Sequence, residues 1–322
     1  MESERVLNLI VPVFNEEEVL PEFIKRLYSV IPQLGVKTNI LYINDGSTDR
    51  TSELLNQECV TRSNVRVVHF SRNFGAQAVH RAGLDLAVGD AVIFIDSDLQ
   101  DPPEFIPEMI RKWENGADIV ICQRRSRSER GMRGLCFRMF HFLYSKLMGG
   151  LIPPDSGIFG LISKPALEAL RACPETNLFM PGLRGWVGFR QEIITYDREE
   201  RKAGETKQSF LKLLQYAWNA VASFSTLPLR MILVLGCAIS SVSMFYGGIL
   251  FLVRVINFFG YLENLKTPGF TTLAVSIFFL GGIQLISLGI IGEYLARIYD
   301  ECKKRPSYII KQSSPPGNSK KT

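Results

Sequence analysis

Short runs of aliphatic and β-branched residues alternate with longer stretches of helical periodicity through residues 6–125. The apolar runs predict strands, and the stretches between them predict helices. Five strands are predicted in this way, at 6–14, 38–45, 65–70, 91–96 and 117–124. Ser47 or Asp49, both favourable N-cap residues, is predicted to begin the helix after the second strand. Strands and helices that alternate at this spacing are typical of an α/β fold with a doubly wound, mostly parallel sheet.

Two long uncharged stretches near the end of the chain break this pattern. No charged side chain occurs in 231–253 or in 270–291. At a rise of about 1.5 Å per residue, each stretch can cross a hydrocarbon core roughly 30 Å thick. Two buried helices of a large soluble core are the alternative. We favour a membrane hairpin because two uninterrupted spans follow each other with only a short link between them.

Basic residues flank this predicted hairpin on its outer sides, whereas the link carries few charges. They are Arg201, Lys202, Lys207, Lys212 and Arg230 before the first span, and Arg297, Lys303, Lys304 and Arg305 after the second. By the positive-inside rule, both ends of the hairpin lie in the cytoplasm. The first residues show no basic and apolar secretory leader, so we expect the preceding domain to stay in the cytoplasm as well.

The net charge of +5 is modest for 322 residues. Basic residues that face anionic lipid account for it, so we do not expect nucleic-acid binding. The six cysteines show no CxxC pair, which favours free thiols over disulfides or a zinc site.

Every predicted strand ends in polar residues. Ligands of doubly wound sheets bind outside the carboxyl ends of the strands, so we expect these exits along one rim of the sheet. The five exits are 14–16, 44–47, 71–75, 96–101 and 123–125. The fourth exit places Asp96, Asp98 and Asp101 within six positions, and carboxylates crowded in this way repel one another. A positive partner is therefore expected at this exit.

A divalent cation would supply that charge. Asp96 and Asp98 share a face if the fourth strand continues through Asp98. Hard oxygen ligands suit Mg²⁺ or Mn²⁺, and such ions commonly use one or two carboxylates together with substrate phosphates. Asp101 directly precedes Pro102 and is explained by helix capping instead.

Several motifs together resemble the family 2 glycosyltransferases. They are VPVFNEEE (11–18), NDGSTD (44–49), SRNFG (71–75), IDSDLQDPP (95–103) and FMPGLRGWVG (179–188). The ending GEYLARIYDECKKRPSYII (292–310) narrows the resemblance to polyprenyl-phosphate glycosyltransferases, which include bactoprenol glucosyltransferases and dolichol-phosphate-mannose synthases. The likeness runs from about residue 6 to 311. It implies a GT-A (Rossmann-like) domain that moves one hexose from a nucleotide sugar to polyprenyl phosphate with inversion, using Mg²⁺ or Mn²⁺.

The resemblance also implies roles for individual residues. Pro12, Glu16 and Asp45 would bind the nucleotide sugar, although NDGS can also be a plain turn. Asp96 would face the ribose or the metal. Asp98 and Gln100 would bind the cation, and Asp98 is thereby a catalytic candidate.

A second catalytic candidate is Asp155, which would lie near the acceptor. Relatives often carry D-S-G-D-F-R at this place, whereas this chain has Ile158 and Gly160 where a second Asp and an Arg are common. The assignment of a catalytic base therefore stays open. The second pKa of a phosphomonoester is near ~6, so the attacking oxygen is largely ionised and a base is dispensable.

Basic residues are expected to bind the phosphates of donor or acceptor. The candidates are Arg124, Arg198, Arg201 and Lys207. Guanidinium forks and ammonium groups suit phosphate oxygens, and a solvated run of charges is the alternative. The position of Arg198, Arg201 and Lys207 just before or at the start of a juxtamembrane helix favours phosphate binding.

These inferences divide the chain into a cytoplasmic GT-A catalytic domain and a membrane part. The catalytic domain covers 1–205, the amphipathic juxtamembrane helix 206–228, the transmembrane helices 229–254 and 270–296, the external loop 255–269, and the cytoplasmic tail 297–322. The expected location is the inner membrane of a bacterium, and the spans are expected to allow a homo-oligomer. The expected partners are polyprenyl (undecaprenyl) phosphate and a nucleotide sugar. Closeness to bactoprenol glucosyltransferases favours UDP-glucose, while GDP-mannose and modified UDP-sugars remain open.

Three other functions compete with this interpretation. A processive polysaccharide synthase generally has more spans and a QxxRW-type motif. A transport subunit that presents lipid-linked sugar without chemistry would leave the acidic exit without purpose. A dinucleotide-binding oxidoreductase would need GxGxxG after the first strand, which is absent. Trp186 either flanks the sugar or packs in the core, and we expect the three histidines to serve packing or lie at the surface.

Overall fold

The computed structural model describes residues 5–124, 156–175, 178–197, 227–258 and 269–314. They form two units, one built on a sheet and one made of two long helices. The strands are β1 (Val6–Val13), β2 (Lys37–Asn44), β3 (Val65–Phe70), β4 (Ala91–Phe94), β5 (Ile119–Arg124), β6 (Ser156–Ser163), β7 (Gln191–Tyr196) and β8 (Ile310–Ser314). The helices are α1 (Leu20–Val30), α2 (Thr51–Thr61), α3 (Ala76–Leu86), α4 (Ile106–Glu114), α5 (Lys164–Ala172), α6 (Met180–Trp186), α7 (Leu227–Phe258) and α8 (Gly269–Lys303).

The eight strands form one mixed sheet in the order β7-β5-β6-β4-β1-β2-β3-β8. Strands β4, β1, β2 and β3 are parallel neighbours, and β5 is parallel to β7. Strand β6 is antiparallel to both β4 and β5, and β8 is antiparallel to β3. This architecture confirms the expected α/β fold with a mostly parallel sheet. The last three strands in the chain were not predicted.

Both faces of the central strand β1 are covered. Leu7 and Leu9 belong to the core cluster that includes Phe23 of α1. On the other face, a Cβ added at Gly83 of α3 would lie 2.8 Å from the Ile10 side chain, so α3 approaches the sheet closely. A strand buried on both sides needs apolar residues at successive positions, which explains why β1 is apolar at every position except Asn8.

The second unit consists of α7 and α8. By length and composition, Leu229–Leu250 and Phe279–Lys303 could cross a membrane, and these windows are not buried within the structure. Both helices extend beyond the predicted spans 229–254 and 270–296. Helix α7 ends at Phe258, and α8 continues to Lys303. The juxtamembrane segment 206–226 lies outside the described residues.

The residues after α8 differ from the expected simple tail. Ile310–Ser314 form β8, which pairs with β3. Strand β8 is therefore the last strand of the sheet, next to β3. The chain therefore leaves the sheet-based unit for the two apolar helices and returns to it afterwards.

Two of the three histidines serve packing, as expected, and His141 lies outside the described residues. His69 is buried and hydrogen-bonded to Asn44 and Asn56, at 3.0 Å in each case. His80 on α3 lies edge-on to Phe94, with ring centroids 6.2 Å apart. Burial, reinforced by the Arg184 charge, lowers the pKa of His80 to about 3.

The depressed pKa of His80 predicts a loss of stability in mild acid. The native state keeps His80 neutral, whereas the unfolded chain binds a proton below about pH 6.5. Unfolding then takes up a proton, so stability falls as the pH drops from about 6.5 towards 3, by about 2 kcal/mol at pH 5. We expect His80→Gln to show a smaller drop in Tm between pH 7 and pH 5 than the wild type.

The comparison is internally controlled because His69, whose pKa burial also lowers, is present in both proteins. Equal drops in Tm for the wild type and His80→Gln would contradict the assignment.

Candidate active site

The exits of β1 and β2 are joined by hydrogen bonds. The Asn15 amide donates to Ser47 Oγ at 3.0 Å, and the Thr48 amide donates to Asn15 Oδ1 at 2.8 Å. The Glu16 amide donates to Thr51 Oγ1 at 3.0 Å, at the first residue of α2. These bonds hold the VPVFNEEE and NDGSTD motifs together at the carboxyl end of the sheet, where the sequence predicted them.

Asp45 connects the β2 exit to the β3 exit. It is almost fully buried, at 4% exposure, and its two carboxylate oxygens accept the amides of Phe74 at 2.7 Å and Gly75 at 2.9 Å. Burial raises its pKa, although these two hydrogen bonds act in the opposite direction. Asp45 therefore fixes the 71–75 loop.

Within NDGS, the residue that forms the predicted turn is Asn44, the neighbour of Asp45. The Ser47 amide donates to Asn44 Oδ1 at 2.9 Å, which is the local bond expected of an Asn-initiated turn. Asn44 closes the turn and Asp45 reaches across to the next loop, so the motif serves both purposes.

The acidic exit of β4 is a loop, not an extension of the strand. Strand β4 ends at Phe94, so the expectation that it continues through Asp98 is wrong. The shared face of Asp96 and Asp98 depended on that extension, and what the loop shows is an alternation of burial. Asp96, Asp98 and Gln100 are partly exposed, whereas the intervening Ser97 and Leu99 are buried.

Three local features hold this loop in place. Ser97 Oγ donates to the carbonyl of Pro12 at 3.0 Å, which ties the loop to β1. The Gln100 amide donates to Asp98 Oδ1 at 3.1 Å. Leu99 has a φ of 62°, in the left-handed region that side-chain-bearing residues rarely adopt. This strained residue separates Asp98 from Gln100, both of which are partly exposed.

The donor chemistry of this loop fits a divalent cation. Two carboxylates and one side-chain amide oxygen are the hard ligands that Mg²⁺ and Mn²⁺ prefer. No group of three His, Cys, Asp or Glu placed to hold a metal occurs among the described residues. These side chains can supply part of a coordination sphere, which is the usual arrangement when substrate phosphates complete it.

Asp101 has a different partner from the one expected. The short 3-10 turn Pro103–Phe105 that follows has no side-chain cap, so the capping interpretation is wrong. Asp101 is 1% exposed, accepts a 2.5 Å hydrogen bond from the Tyr196 hydroxyl, and lies 3.6 Å from the Arg124 guanidinium. A carboxylate this deep needs a charge and a donor beside it.

The same cluster determines the state of Arg124. Its Nε donates to the Tyr196 hydroxyl at 3.2 Å. Burial works against the charged form, yet the Asp101 carboxylate keeps the pKa of Arg124 above its ordinary value. Arg124 is therefore a fixed positive charge at the β5 exit, with its side chain 28% exposed.

Arg184 and Trp186 of the GLRGWVG motif have opposite environments. Arg184 is fully buried and donates to the carbonyls of Gly157 and Ile158, so it fixes the start of β6. Trp186 is 64% exposed, which excludes the core-packing alternative for this ring.

The structure places seven of the predicted site residues at one edge of the sheet. They are Pro12, Glu16, Asp45, Asp96, Asp98, Gln100 and Arg124. Asp155, Arg198, Arg201 and Lys207 lie outside the described residues. Sequence reasoning missed Tyr196, which is 95 positions from Asp101 and carries no motif. The sequence predicted that SRNFG lies at the rim, but not that the amides of Phe74 and Gly75 bind the Asp45 carboxylate.

Residues 8–171 match the model of the protein family described as "Glycosyl transferase family 2". The chain belongs to glycosyltransferase family 2. The prophage bactoprenol glucosyl transferase homolog of Escherichia coli strain K12 is 43% identical over 307 residues, covering 95% of this chain and 98% of the relative. The SfII prophage-derived bactoprenol glucosyl transferase of Shigella flexneri is 42% identical over 308 residues, with the same two coverages.

These relatives place the glycosyltransferase in the bactoprenol glycosyltransferase subgroup and confirm the predicted resemblance. Among solved structures, the complex of Mycobacterium tuberculosis glucosyl-3-phosphoglycerate synthase with Mn²⁺, UDP and glucosyl-3-phosphoglycerate is similar, with a TM-score of 0.47 and 21% identity. That similarity covers 68% of this chain and 78% of the other.

Proposed function

We propose that this glycosyltransferase moves a single glucose from UDP-glucose to undecaprenyl phosphate, with inversion at the anomeric carbon. The reaction takes place at the cytoplasmic face of a bacterial inner membrane, for modification of a cell-envelope glycan, and it uses Mg²⁺ or Mn²⁺. The observation that carries the proposal is the partly exposed set of Asp96, Asp98 and Gln100, in a chain that matches bactoprenol glucosyl transferases along 95% of its length.

The course of the chain supports a membrane hairpin. Val6–Tyr196 and Ile310–Ser314 contribute to the same sheet, and the two apolar helices lie between them in sequence. If both helices span a bilayer, their outer ends must emerge on the same side. This requirement agrees with the basic flanks, which favour the cytoplasm for both ends. Glu293 and Arg297 pair at 2.8 Å in the last three turns of α8.

The mechanism follows from the placement of the rim residues. Asp45 holds the 71–75 loop against the NDGS turn, and this edge would receive the nucleoside. Asp96 and Asp98 would hold the cation, which when bound neutralises the leaving diphosphate. Arg124, kept charged by Asp101, would add a fixed positive charge nearby. The acceptor phosphate is already ionised near neutral pH, so the chain's remaining task is to align it with the sugar.

The test is a donor screen with the purified full-length protein in detergent and undecaprenyl phosphate. We expect release of nucleoside diphosphate with UDP-glucose, dependence on both the lipid and Mn²⁺ or Mg²⁺, and loss of activity in EDTA. The panel includes UDP-galactose, UDP-N-acetylglucosamine and GDP-mannose. NMR of the product should show an anomeric configuration opposite to that of the donor.

Each competing function predicts a different result. Turnover of GDP-mannose in place of UDP-glucose would identify a mannosyltransferase, and lipid products that carry several sugars would identify a processive enzyme. A protein without turnover under all these conditions would match a transport subunit and would overturn the proposal. Association into a homo-oligomer stays a prediction. It can be tested by measuring the mass of the protein in the detergent complex, with the mass of the bound detergent subtracted.

A further inference from the structure

The segment after α8 contacts the loop that follows β3. The Ser71 amide, at the start of the SRNFG motif, donates to the carbonyl of Ile309 at 2.9 Å. Beyond this bond, β8 pairs antiparallel with β3 from Phe70↔Ile310 to Val67↔Ser314, with an irregularity between His69 and Phe70. The C-terminal strand therefore covers the open edge of β3 and reaches its carboxyl end.

Tyr308 continues this contact through aromatic rings. Its ring is stacked on Phe70, with centroids 5.2 Å apart and planes at 15°. Phe70 in turn meets Phe74 edge-on, with centroids 5.8 Å apart and planes at 89°. The Tyr308 hydroxyl donates to Asp85 Oδ2 of α3 at 3.3 Å.

Phe74 is the residue at which this aromatic row meets the candidate site. The amides of Phe74 and Gly75 are the two donors to the Asp45 carboxylate. Ser71, Arg72 and Asn73 are exposed. The other contacts of the loop are the Arg72 guanidinium, 4.1 Å from the Phe74 ring centroid, and the close approach of Gly46 to the Arg72 and Asn73 backbone. Movement of Phe70 or Phe74 would shift the donors on which Asp45 depends.

We propose that Tyr308 is a positioning residue for the nucleotide-sugar donor, acting through Phe70 and Phe74 on the loop that Asp45 holds. This inference rests on the proposed function, in which that edge of the sheet receives the nucleoside. Tyr308 follows the last residue of α8, Lys303, by five positions. The second apolar helix is thus covalently tied to the residue that supports the donor loop, and the C-terminal segment contributes to binding as well as anchoring.

The first test compares kinetic constants for two variants of the full-length protein. Tyr308→Leu removes the stacked ring, and we expect the KM for UDP-glucose to rise about fivefold, the size expected for loss of an aromatic pair. The KM for undecaprenyl phosphate and kcat should change less than about twofold. Tyr308→Phe keeps the ring and loses only the hydrogen bond to Asp85, so its donor KM should stay near the wild-type value.

Tyr28→Leu is the matched control. Tyr28 is partly buried on α1 and faces Arg62, with the guanidinium 3.5 Å from the ring centroid. Arg62 precedes β3, so this site lies at the opposite end of that strand. We expect Tyr28→Leu to lower Tm with no change in donor KM, which separates general destabilisation from positioning. Tyr308→Met, which keeps apolar volume without a ring, replaces Tyr308→Leu if the latter does not fold.

Hydrogen exchange of the loop gives a readout that does not depend on turnover. We expect peptides that contain Phe74 and Gly75 to exchange faster in Tyr308→Leu than in the wild type, and at the wild-type rate in Tyr308→Phe. Wild-type donor KM and exchange in Tyr308→Leu, or an equal donor KM increase in Tyr28→Leu, would overturn the inference. If the wild type neither binds UDP nor turns over UDP-glucose, the proposed function fails, and the exchange data still decide whether Tyr308 holds the loop.

Discussion

Replacing Asp98 with asparagine should reduce kcat by at least about a hundredfold while leaving the fold intact. A carboxylate that holds a catalytic cation contributes several kcal/mol of charge stabilisation, and about 1.4 kcal/mol corresponds to a factor of ten in rate. Asparagine has the same shape, and its side-chain oxygen can still accept the Gln100 amide that Asp98 accepts at 3.1 Å. The loss should therefore come from the missing charge and not from a collapsed loop.

Mn²⁺ binding separates these two explanations. Titration calorimetry with Mn²⁺ and UDP should show affinity weakened by at least about tenfold in Asp98→Asn, while Tm stays near the wild-type value. Glu114→Gln is the matched control, because Glu114 is an exposed carboxylate that pairs with Arg5, which directly precedes β1, at the opposite edge of the sheet. Full activity in Asp98→Asn would remove the cation from the proposed function, and a comparable loss in Glu114→Gln would attribute the effect to net charge.

The sequence predicted the parts of the fold that depend on local pattern. Strands β1 to β5 were found because each contains a short run of mostly apolar residues, most of which are buried. The start of α2 was misplaced, since it begins at Thr51 and not at Ser47 or Asp49. Ser47 Oγ bonds to the β1 exit by accepting the Asn15 amide. Asp49 does both: its Oδ2 accepts the Glu17 amide at 3.2 Å, and its Oδ1 accepts the amide of Thr51, the first residue of α2, at 3.0 Å. A residue that favours an N-cap serves equally well in a turn, and the contact that decides between them comes from a distant strand.

The parts that escaped prediction depend on contacts between distant segments. Strand β8 lies more than 230 positions after β3 in the chain, and nothing within its five residues marks it as part of that sheet. Asp101 was assigned to a cap from its neighbour Pro102, whereas its partners Tyr196 and Arg124 come from two other strands. The sequence could predict that the polar strand exits lie together, because parallel strands place their carboxyl ends at one edge of the sheet. It could not predict which side chain each carboxylate binds.

The largest structural effect is expected from Gly46→Ala. Gly46 has a φ of 70°, and a Cβ placed on it would lie 2.5 Å from the backbone carbon of Arg72 and 2.7 Å from the Asn73 nitrogen. Backbone atoms cannot turn aside as a flexible side chain can, so the NDGS turn and the 71–75 loop must separate. The bonds from Phe74 and Gly75 to Asp45 span this junction. We expect UDP binding to weaken by more than about tenfold, and stability to fall by about 2–4 kcal/mol.

Gly35→Ala isolates the cost of backbone conformation from that of the close approach. Gly35 has a φ of 64°, and a Cβ there would meet nothing within 4 Å. It should lose only the roughly 1–2 kcal/mol of a left-handed residue and bind UDP as the wild type does. The two variants can be compared by Tm and by calorimetry with UDP and Mn²⁺ on the full-length protein. Because both alanines bear the same conformational penalty, any excess loss in Gly46→Ala measures how tightly the two loops must meet. If Gly46→Ala matched Gly35→Ala in both measurements, the contact between the NDGS turn and the 71–75 loop would not be required for donor binding.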